Sequence, residues 1–154
     1  MSCFNISWTS RYEKYENNKF AGEIPSGLWR SFHLSTLMLS NNSFSGELPN
    51  RVAWNMSSVE INDNKFSGKI PDGVSSWLNS VVFKASNNMF HGQIPKEITN
   101  LSKLITFLLD GNELSGELPS DIISWESLNT LNVSRNKLSG QIPAAIESSK
   151  TSKV

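Results

Sequence analysis

Histidine and cysteine, the side chains that combine acid–base, nucleophilic and metal-binding chemistry, are scarce in this sequence. There are two histidines, His33 and His91, and a single cysteine, Cys3. None of them belongs to a Ser/His/Asp grouping, an HExxH or CxxC motif, or a glycine-rich loop that could hold phosphate. One cysteine forms neither an internal disulfide nor the spacing of a metal site. The sequence therefore predicts a protein that is not an enzyme and that uses no metal or cofactor.

Hydrogen bonding by asparagine is the chemistry that recurs at a regular interval. Six similar words each begin with an asparagine, at intervals of 24, 22, 24, 24 and 24 residues. The words are NKFAGEIP, NSFSGELP, NKFSGKIP, NMFHGQIP, NELSGELP and NKLSGQIP, starting at Asn18, Asn42, Asn64, Asn88, Asn112 and Asn136. An amide can both donate to and accept from backbone groups where the chain bends. A fixed period of this length predicts stacked coils rather than one globular core.

Each position of the repeated word has a structural reason. The glycine four residues after the asparagine suits a positive φ or a close approach, and the proline fixes an extended bend. All six prolines of the chain stand in this one column. We expect the apolar columns to face the interior. They are Phe20, Phe44, Phe66, Phe90, Leu114 and Leu138, then Ile24, Leu48, Ile70, Ile94, Leu118 and Ile142, then Leu28, Val52, Val74, Ile98, Ile122 and Ile146.

A second pattern, L-x-x-L-x-L-x-x-N, ends at five of these asparagines. Its alternation predicts short half-buried strands, and strands one coil apart must pair in parallel at about 4.8 Å. The copy before Asn88 is the weakest, because Ser80 and Ala85 are small. Between each proline and the next strand there is room for a single 3₁₀ or α-helical turn. Tryptophans and a leucine near these turns are predicted to pack the flank of the coils: Trp29, Trp54, Trp77, Leu101 and Trp125.

These motifs resemble the plant-type leucine-rich repeat, whose unit reads LxxLxxLxLxxNxLxGxIPxx. The resemblance covers residues 16–146, as about six repeats with the last incomplete, between an irregular segment at 1–15 and a polar tail at 147–154. It implies an α/β-type leucine-rich-repeat solenoid. Such a solenoid is a right-handed coil with short parallel β-strands on its concave face and 3₁₀, short helical or irregular structure on its convex side.

The stretch from Phe83 to Ile146 looks most like the extracellular region of HAESA-like receptor kinases. That resemblance implies a plasma-membrane receptor that binds a secreted peptide or protein, recruits a SERK-type co-receptor, and signals through a separate cytoplasmic Ser/Thr kinase domain. Those ectodomains are several times longer and carry a signal peptide, capping cysteine pairs and a membrane helix. We therefore expect this chain to be a piece of such an ectodomain. Read as complete, it would be expected to stay in the cytosol, since it has no long apolar run.

Residues between the buried strand positions are expected to face solvent on the concave side and to contact a ligand. Their identities vary while the frame is constant, as on a binding surface built on a rigid scaffold. In three columns they are Thr36, Ser58, Val82, Thr106 and Thr130; Met38, Glu60, Lys84, Leu108 and Asn132; and Ser40, Asn62, Ser86, Asp110 and Ser134. An Arg-x-Arg pair, which some relatives use to hold a peptide carboxylate, is absent, and Arg135 stands alone.

Five N-x-S sequons are glycosylation candidates if the chain is secreted: Asn5, Asn41, Asn55, Asn100 and Asn132. A glycan on Asn132 would obstruct the concave face. The 14 basic and 14 acidic residues cancel, so no nucleic-acid partner is indicated. Two alternatives remain open. One is a free-standing repeat protein that binds or inhibits another protein, as polygalacturonase-inhibiting proteins do. The other is self-association through uncapped ends.

Overall fold

The chain winds through six coils, and each coil adds one strand to each of two parallel sheets. The structure is a computed structural model that describes residues 12–120, 127–144 and 146. The expectations for Cys3, Asn5, Ile122, Trp125 and residues 147–154 lie outside the described residues. The predicted solenoid of short parallel strands and helical turns is confirmed.

The first sheet, called the concave sheet below, consists of the odd-numbered strands. They are β1 (Tyr12–Lys14), β3 (Thr36–Met38), β5 (Ser58–Glu60), β7 (Val82–Lys84), β9 (Thr106–Leu108) and β11 (Thr130–Asn132). Five were predicted from the leucine pattern. The sixth, β1, lies inside the segment expected to be irregular, and it pairs in parallel register with β3. The expectation of irregular structure over 1–15 was therefore wrong for Tyr12–Lys14, whose sequence YEK offers no apolar alternation.

The second sheet, called the flank sheet, was not predicted. Its strands are β2 (Ala21–Glu23), β4 (Ser43–Glu47), β6 (Lys65–Gly68), β8 (Met89–Gly92), β10 (Glu113–Glu117) and β12 (Lys137–Ser139). These strands occupy the words that begin with asparagine, which we had interpreted as turns. Glycine at positive φ ordinarily weakens a strand. Here Gly46 has φ of 97°, yet its strand pairs with both neighbours, because every coil repeats the same bend in register.

Short helical turns follow the prolines, as predicted. They are α1 (Ser26–Trp29) and the 3₁₀ turns Asp72–Ser76 and Lys96–Asn100. In the second of these coils the Val74 N–H donates to the Pro71 carbonyl at 3.0 Å, so the proline sits just before the turn that it starts. The coil between Asn42 and Asn64 is two residues shorter, and the structure shows no helical turn after its proline.

The interior is a stack of apolar side chains, one layer per coil. In the concave sheet the inward positions of neighbouring strands are aligned, as Val59 with Phe83 and Phe83 with Phe107. In the flank sheet Phe66 and Phe90 are stacked with ring centroids 6.5 Å apart. Burying each such ring stabilises the fold by roughly 1.5–3 kcal/mol. The centre of the stack is therefore where most of the hydrophobic stabilisation lies.

Two aromatic or aliphatic side chains depart from the predicted interior. Ile142, in the last coil, was expected to point inward but is 67% exposed, because the structure describes no later coil that covers it. Trp29 and Trp77 are buried as predicted, whereas Trp54 is 69% exposed. In the shortened coil Ala53 takes the buried position. Trp54 follows it and turns outward.

The asparagines bond to the backbone where the chain bends, as predicted, and their bonds also form a ladder between neighbouring coils. The Asn88 amide donates to the carbonyls of Ile61, Ala85 and Ser86 at 2.9–3.2 Å. Its oxygen accepts the backbone N–H of Phe66 in the previous coil at 3.0 Å. Asn88 is 8% exposed, so these backbone groups would otherwise be buried without partners. The same accepting bond from the previous coil is made by Asn42, Asn64, Asn112 and Asn136. These five asparagines thus join the end of a concave strand to the neighbouring flank strand.

Candidate functional site

The outward side chains of the concave sheet form the candidate binding surface. Parallel pairing aligns them across coils, as Met38 with Glu60, Glu60 with Lys84 and Lys84 with Leu108. The outer column is aligned in the same way, from Thr36 to Thr130. All ten residues of these two predicted columns are half-buried. The structure therefore brings the two columns together as one face with accessible side chains.

The third predicted column behaves differently. Ser40, Ser86 and Asp110 are buried, at 7%, 8% and 8% exposure, while Asn62 is half-buried and Ser134 is exposed. The strands have ended by this point, and the next residue in each coil has a positive φ. These residues are Asn17, Asn41, Asp63, Asn87, Gly111 and Arg135, with φ between 52° and 68°. Ser86 and Asp110 are hydrogen-bonded to each other between neighbouring coils, which helps to bury both side chains. The expectation that Ser40, Ser86 and Asp110 face solvent was wrong.

Oppositely charged side chains at the centre of the face pair with each other. The Lys84 ammonium lies 3.0 Å from the Glu60 carboxylate, with side-chain exposures of 32% and 17%. The pair is flanked along the solenoid by Met38 on one side and Leu108 on the other. The face therefore offers an apolar patch, an ion pair and a second apolar patch in sequence.

A polar cluster lies at the edge of the face, where Asp110 contacts three coils. Asp110 accepts hydrogen bonds from the Ser86 hydroxyl and from the Arg135 guanidinium, the latter at 2.6 Å. Arg135 also donates to the Asn87 amide oxygen at 3.1 Å. Burial alone would raise the pKa of Asp110, but the bonds from Ser86 and Arg135 outweigh burial and lower it. Asp110 is therefore a fixed carboxylate at neutral pH and is unsuited to general acid–base catalysis.

Sequence reasoning missed the part of this face contributed by the first coil. Tyr12 is aligned with Thr36, and Lys14 is aligned with Met38, so both columns extend by one residue. Lys14 lies 3.2 Å from Glu16. Arg135 was interpreted as isolated, but it joins the Asp110 cluster. Lys14 stands 24 residues before Met38, which is the repeat period. This spacing was the sequence signal from which Tyr12 and Lys14 could have been predicted to extend the face.

The inward side of the first coil differs from that of the later coils, as Glu13 and Tyr15 show. Glu13 occupies the inward position that is apolar in the later strands, opposite Leu37. It accepts a hydrogen bond from the Tyr15 hydroxyl at 2.9 Å. Burial, followed by this bond and the charge of Glu13, raises the pKa of Tyr15 to about 12. The first coil therefore carries a polar pair where the later coils carry hydrocarbon.

The sequons differ in how far their amides are already engaged. Asn41 donates to the Asn17 side chain at 3.0 Å, and Asn55 donates to the Phe32 carbonyl at 2.7 Å. Asn100 is exposed at the end of its 3₁₀ turn. Asn132 is half-buried at the end of β11, and its oxygen accepts the Ser134 N–H at 3.1 Å. Attachment of glycans at these positions stays a prediction.

The described residues include no cluster of histidine, cysteine, aspartate and glutamate that could hold a metal ion. Within the same residues no helix has the length and apolar character needed to cross a membrane. His33 and His91 are both exposed, as expected for His91.

Comparison with known proteins gives matches to leucine-rich-repeat proteins. A family model described as Leucine Rich Repeat matches residues 33–53 and 127–149. No curated protein matches the chain. Solved structures do match. The Arabidopsis receptor kinase HAESA, in complex with the peptide hormone IDA and the co-receptor SERK1, is 41% identical over 84% of this chain and 22% of that one, with a TM-score of 0.82.

Two further structures agree with this result. The HAESA ectodomain with an extended IDA peptide is 38% identical over 90% of this chain and 24% of that one, with a TM-score of 0.86. The plant peptide hormone receptor RGFR1, in complex with RGF2, is 28% identical over 89% of this chain and 22% of that one, with a TM-score of 0.86. The chain thus spans less than a quarter of the receptor chain in each of these three structures.

Proposed function

Because the chain is a plant-type leucine-rich-repeat protein similar to a segment of the HAESA receptor-kinase ectodomain, we propose that its concave sheet binds a secreted peptide. In this proposal the chain itself is a non-catalytic recognition module at the extracellular face of the plasma membrane. The HAESA and RGFR1 structures each hold a peptide hormone, which supports a ligand of that class.

The observation that carries the proposal is the contrast among the three columns of the concave sheet. The backbone and the Asp110 edge are held by internal hydrogen bonds, so the frame is already ordered. The outer and central columns keep half-exposed side chains of varied chemistry on that frame. A preordered surface loses little conformational entropy on binding. The ten residues of those two columns, together with Tyr12 and Lys14, are the proposed contact set.

The spacing of the central column suggests the form of the ligand. Met38 and Leu108 are three coils apart, which corresponds to about 14 Å at a strand spacing of about 4.8 Å. An extended peptide advances about 3.3 Å per residue, so it covers that distance in about four residues. The expected ligand therefore carries two apolar side chains about four residues apart. Polar groups between them would meet the Glu60–Lys84 pair.

The test replaces Glu60, Lys84 and Leu108 together with alanine. The probes are the IDA peptide, the RGF2 peptide and a random peptide library, with affinity measured by calorimetry. We expect the triple variant to bind its best wild-type peptide at least tenfold more weakly, because one apolar anchor and both polar anchors are lost. The matched control is Glu113→Ala with Lys137→Ala, which removes an ion pair of 2.9 Å from the flank sheet. The proposal would be contradicted if the triple variant bound the peptide as tightly as the wild type does. It would also be contradicted if the triple variant and the Glu113/Lys137 control lost affinity equally.

We further propose that a SERK-type co-receptor joins the peptide-bound chain. HAESA, which was solved with a peptide and a co-receptor together, supports this step. The expected result is a ternary complex on size-exclusion chromatography when SERK1 ectodomain and peptide are both present. Co-elution of the chain with SERK1 in the absence of peptide would contradict a ligand-dependent role.

A further inference from the structure

A row of large apolar side chains lies exposed on the side of the coils that leads into the concave sheet. Phe32, Trp54 and Leu78 are 71%, 69% and 59% exposed. Each stands ten residues before the asparagine of its repeat, so they occupy the same position on three consecutive coils. The next coil has Ser102 at this position. We call Phe32, Trp54 and Leu78 the apolar row.

The backbone beneath the apolar row is fixed by side-chain hydrogen bonds between coils. Asn55 donates to the Phe32 carbonyl, and Asn79 donates to the Trp54 carbonyl, both at 2.7 Å. Lys103 donates in turn to the Asn79 side-chain oxygen at 2.6 Å. These bonds hold three successive coils in register directly under the exposed side chains. The row is therefore preordered, which lowers the entropic cost of docking.

The exposed area is large for a surface that contacts only water. Phe, Trp and Leu side chains with these exposures present on the order of 400 Å² of mostly apolar surface. The largest apolar patch of a typical monomer is about 300–600 Å² and often has a function. Burying the row on a partner would remove this unfavourable hydration. Tryptophan is also among the residues that contribute most to protein interfaces.

The charged side chains nearest in sequence to Phe32 and Trp54 are basic. Arg30 and Arg51 are exposed, and neither forms an ion pair within the part of the chain that the structure describes. Between residues 26 and 58 the sequence has one carboxylate, Glu47. The Glu47 side chain lies across Gly68 on the flank sheet, away from the row. A partner with acidic side chains would therefore find two unpaired cations beside an apolar surface.

We infer that the apolar row, with Arg30 and Arg51, is a docking surface for an acidic partner-protein segment that carries aromatic or aliphatic side chains. The segment lies across successive coils with its apolar side chains on Phe32, Trp54 and Leu78. Its carboxylates pair with the two arginines at the rim. This surface is separate from the outward face of the concave sheet, so the inference does not depend on peptide binding there.

The test measures binding of synthetic peptides by fluorescence anisotropy. One set of twelve-residue peptides alternates Asp or Glu with Leu, Phe or Trp. A second set has Lys in place of each acidic residue, and a third keeps the acidic residues but has Ser in place of each apolar one. We expect the 154-residue chain to bind the first set, and to bind the other two at least tenfold more weakly.

Three variants assign the binding to the proposed surface. Phe32→Ser with Trp54→Ser introduces the residue that the fourth coil already has at this position, and it should lower affinity for the first set at least tenfold. Arg30→Glu with Arg51→Glu should transfer preference to the Lys set. Met89→Ser removes a side chain that is 46% exposed on the flank sheet and should change nothing. Because Phe32 and Trp54 are exposed, a thermal melt should show both serine variants folded.

Other results would overturn the inference. One is equal binding of the first set by the wild type and by the Phe32/Trp54 variant. Another is loss of self-association in the Phe32/Trp54 variant, by sedimentation, without any peptide binding, which would assign the row to a second copy of this chain. Stronger binding to phosphatidylserine vesicles than to every peptide would assign it to a membrane.

Discussion

At the scale of single residues, the clearest finding is that a positive φ recurs three residues after the end of each concave strand. Asparagine, aspartate and glycine tolerate the left-handed conformation found there, whereas arginine rarely adopts it. Arg135 has φ of 53°, and its bonds to Asp110 and Asn87 hold it in that conformation. The cluster therefore has a structural role at the edge of the binding face.

The Asp110 cluster predicts an acid-dependent contribution to stability. The pKa of Asp110 is lowered in the folded chain, so its stabilising effect is present above the unfolded value of about 3.9. The effect is lost as pH falls through the lower folded value. Asp110→Asn should cost about 1 kcal/mol at pH 7, an amount limited because the Arg135 side chain is 65% exposed. Urea unfolding at pH 7 and at pH 3 measures both quantities.

The control for this experiment is Glu113→Gln. In the wild type, the hydrogen bond and charge interaction with Lys137 also lower the pKa of Glu113, but both side chains are largely exposed. We expect Glu113→Gln to change the acid dependence less than Asp110→Asn does, because solvent screens the exposed pair. The free energy of unfolding of the wild type should differ between pH 7 and pH 3. If the Asp110→Asn variant shows the same difference, the cluster is not its source.

At the scale of elements, the sequence predicted one sheet and missed the other. The leucine pattern identified the concave strands because apolar and polar residues alternate over several positions in most copies. In the flank strands, asparagine and glycine obscured the alternation around residues such as Phe44 and Phe66. Asparagine and glycine both favour turns locally. Repetition across the coils outweighs this preference, because it supplies a pairing partner for every flank strand. One copy of the repeated word therefore does not predict a flank strand, which forms only when several copies are stacked.

Loss of a central asparagine should destabilise the junction of the two sheets. Asn88→Ala leaves the Phe66 N–H and several carbonyls buried without partners, at a cost of about 2–4 kcal/mol. Asn18→Ala is the matched control, because Asn18 is exposed and water can replace its bonds to the Tyr15 and Glu16 carbonyls. Chemical denaturation measures both variants. Similar losses at the two positions would argue against the ladder as the source of stability.

At the scale of the whole molecule, stability should vary along the stack because each coil contacts only its neighbours. The central layers around Phe83 and Phe90 are buried, whereas Leu131 and Leu138 in the last coil are half-exposed. The repeat count, period and interior columns could be predicted from the sequence. The exposure of Ile142 and Trp54 could not, since the first depends on whether a later coil covers it and the second on which residue of the shortened coil is buried.

Hydrogen exchange tests this gradient with two backbone bonds of similar length. The Ile61 N–H donates to the Lys84 carbonyl at 2.7 Å, and the Leu109 N–H donates to the Asn132 carbonyl at 2.8 Å. We expect the Leu109 amide, which bonds to the last coil, to exchange at least about tenfold faster. Equal protection would mean that the chain unfolds as one cooperative unit.

The coil between Asn42 and Asn64 shows where this architecture tolerates insertion and deletion. It lacks two residues and the helical turn, yet its strands remain aligned with those of the neighbouring coils. The whole length difference is absorbed in the stretch between the proline and the concave strand. During evolution, gains and losses of residues in that stretch would leave both sheets intact. The same stretch carries Trp54 of the apolar row. Residues gained or lost there would therefore reshape an exposed surface while both sheets stay paired.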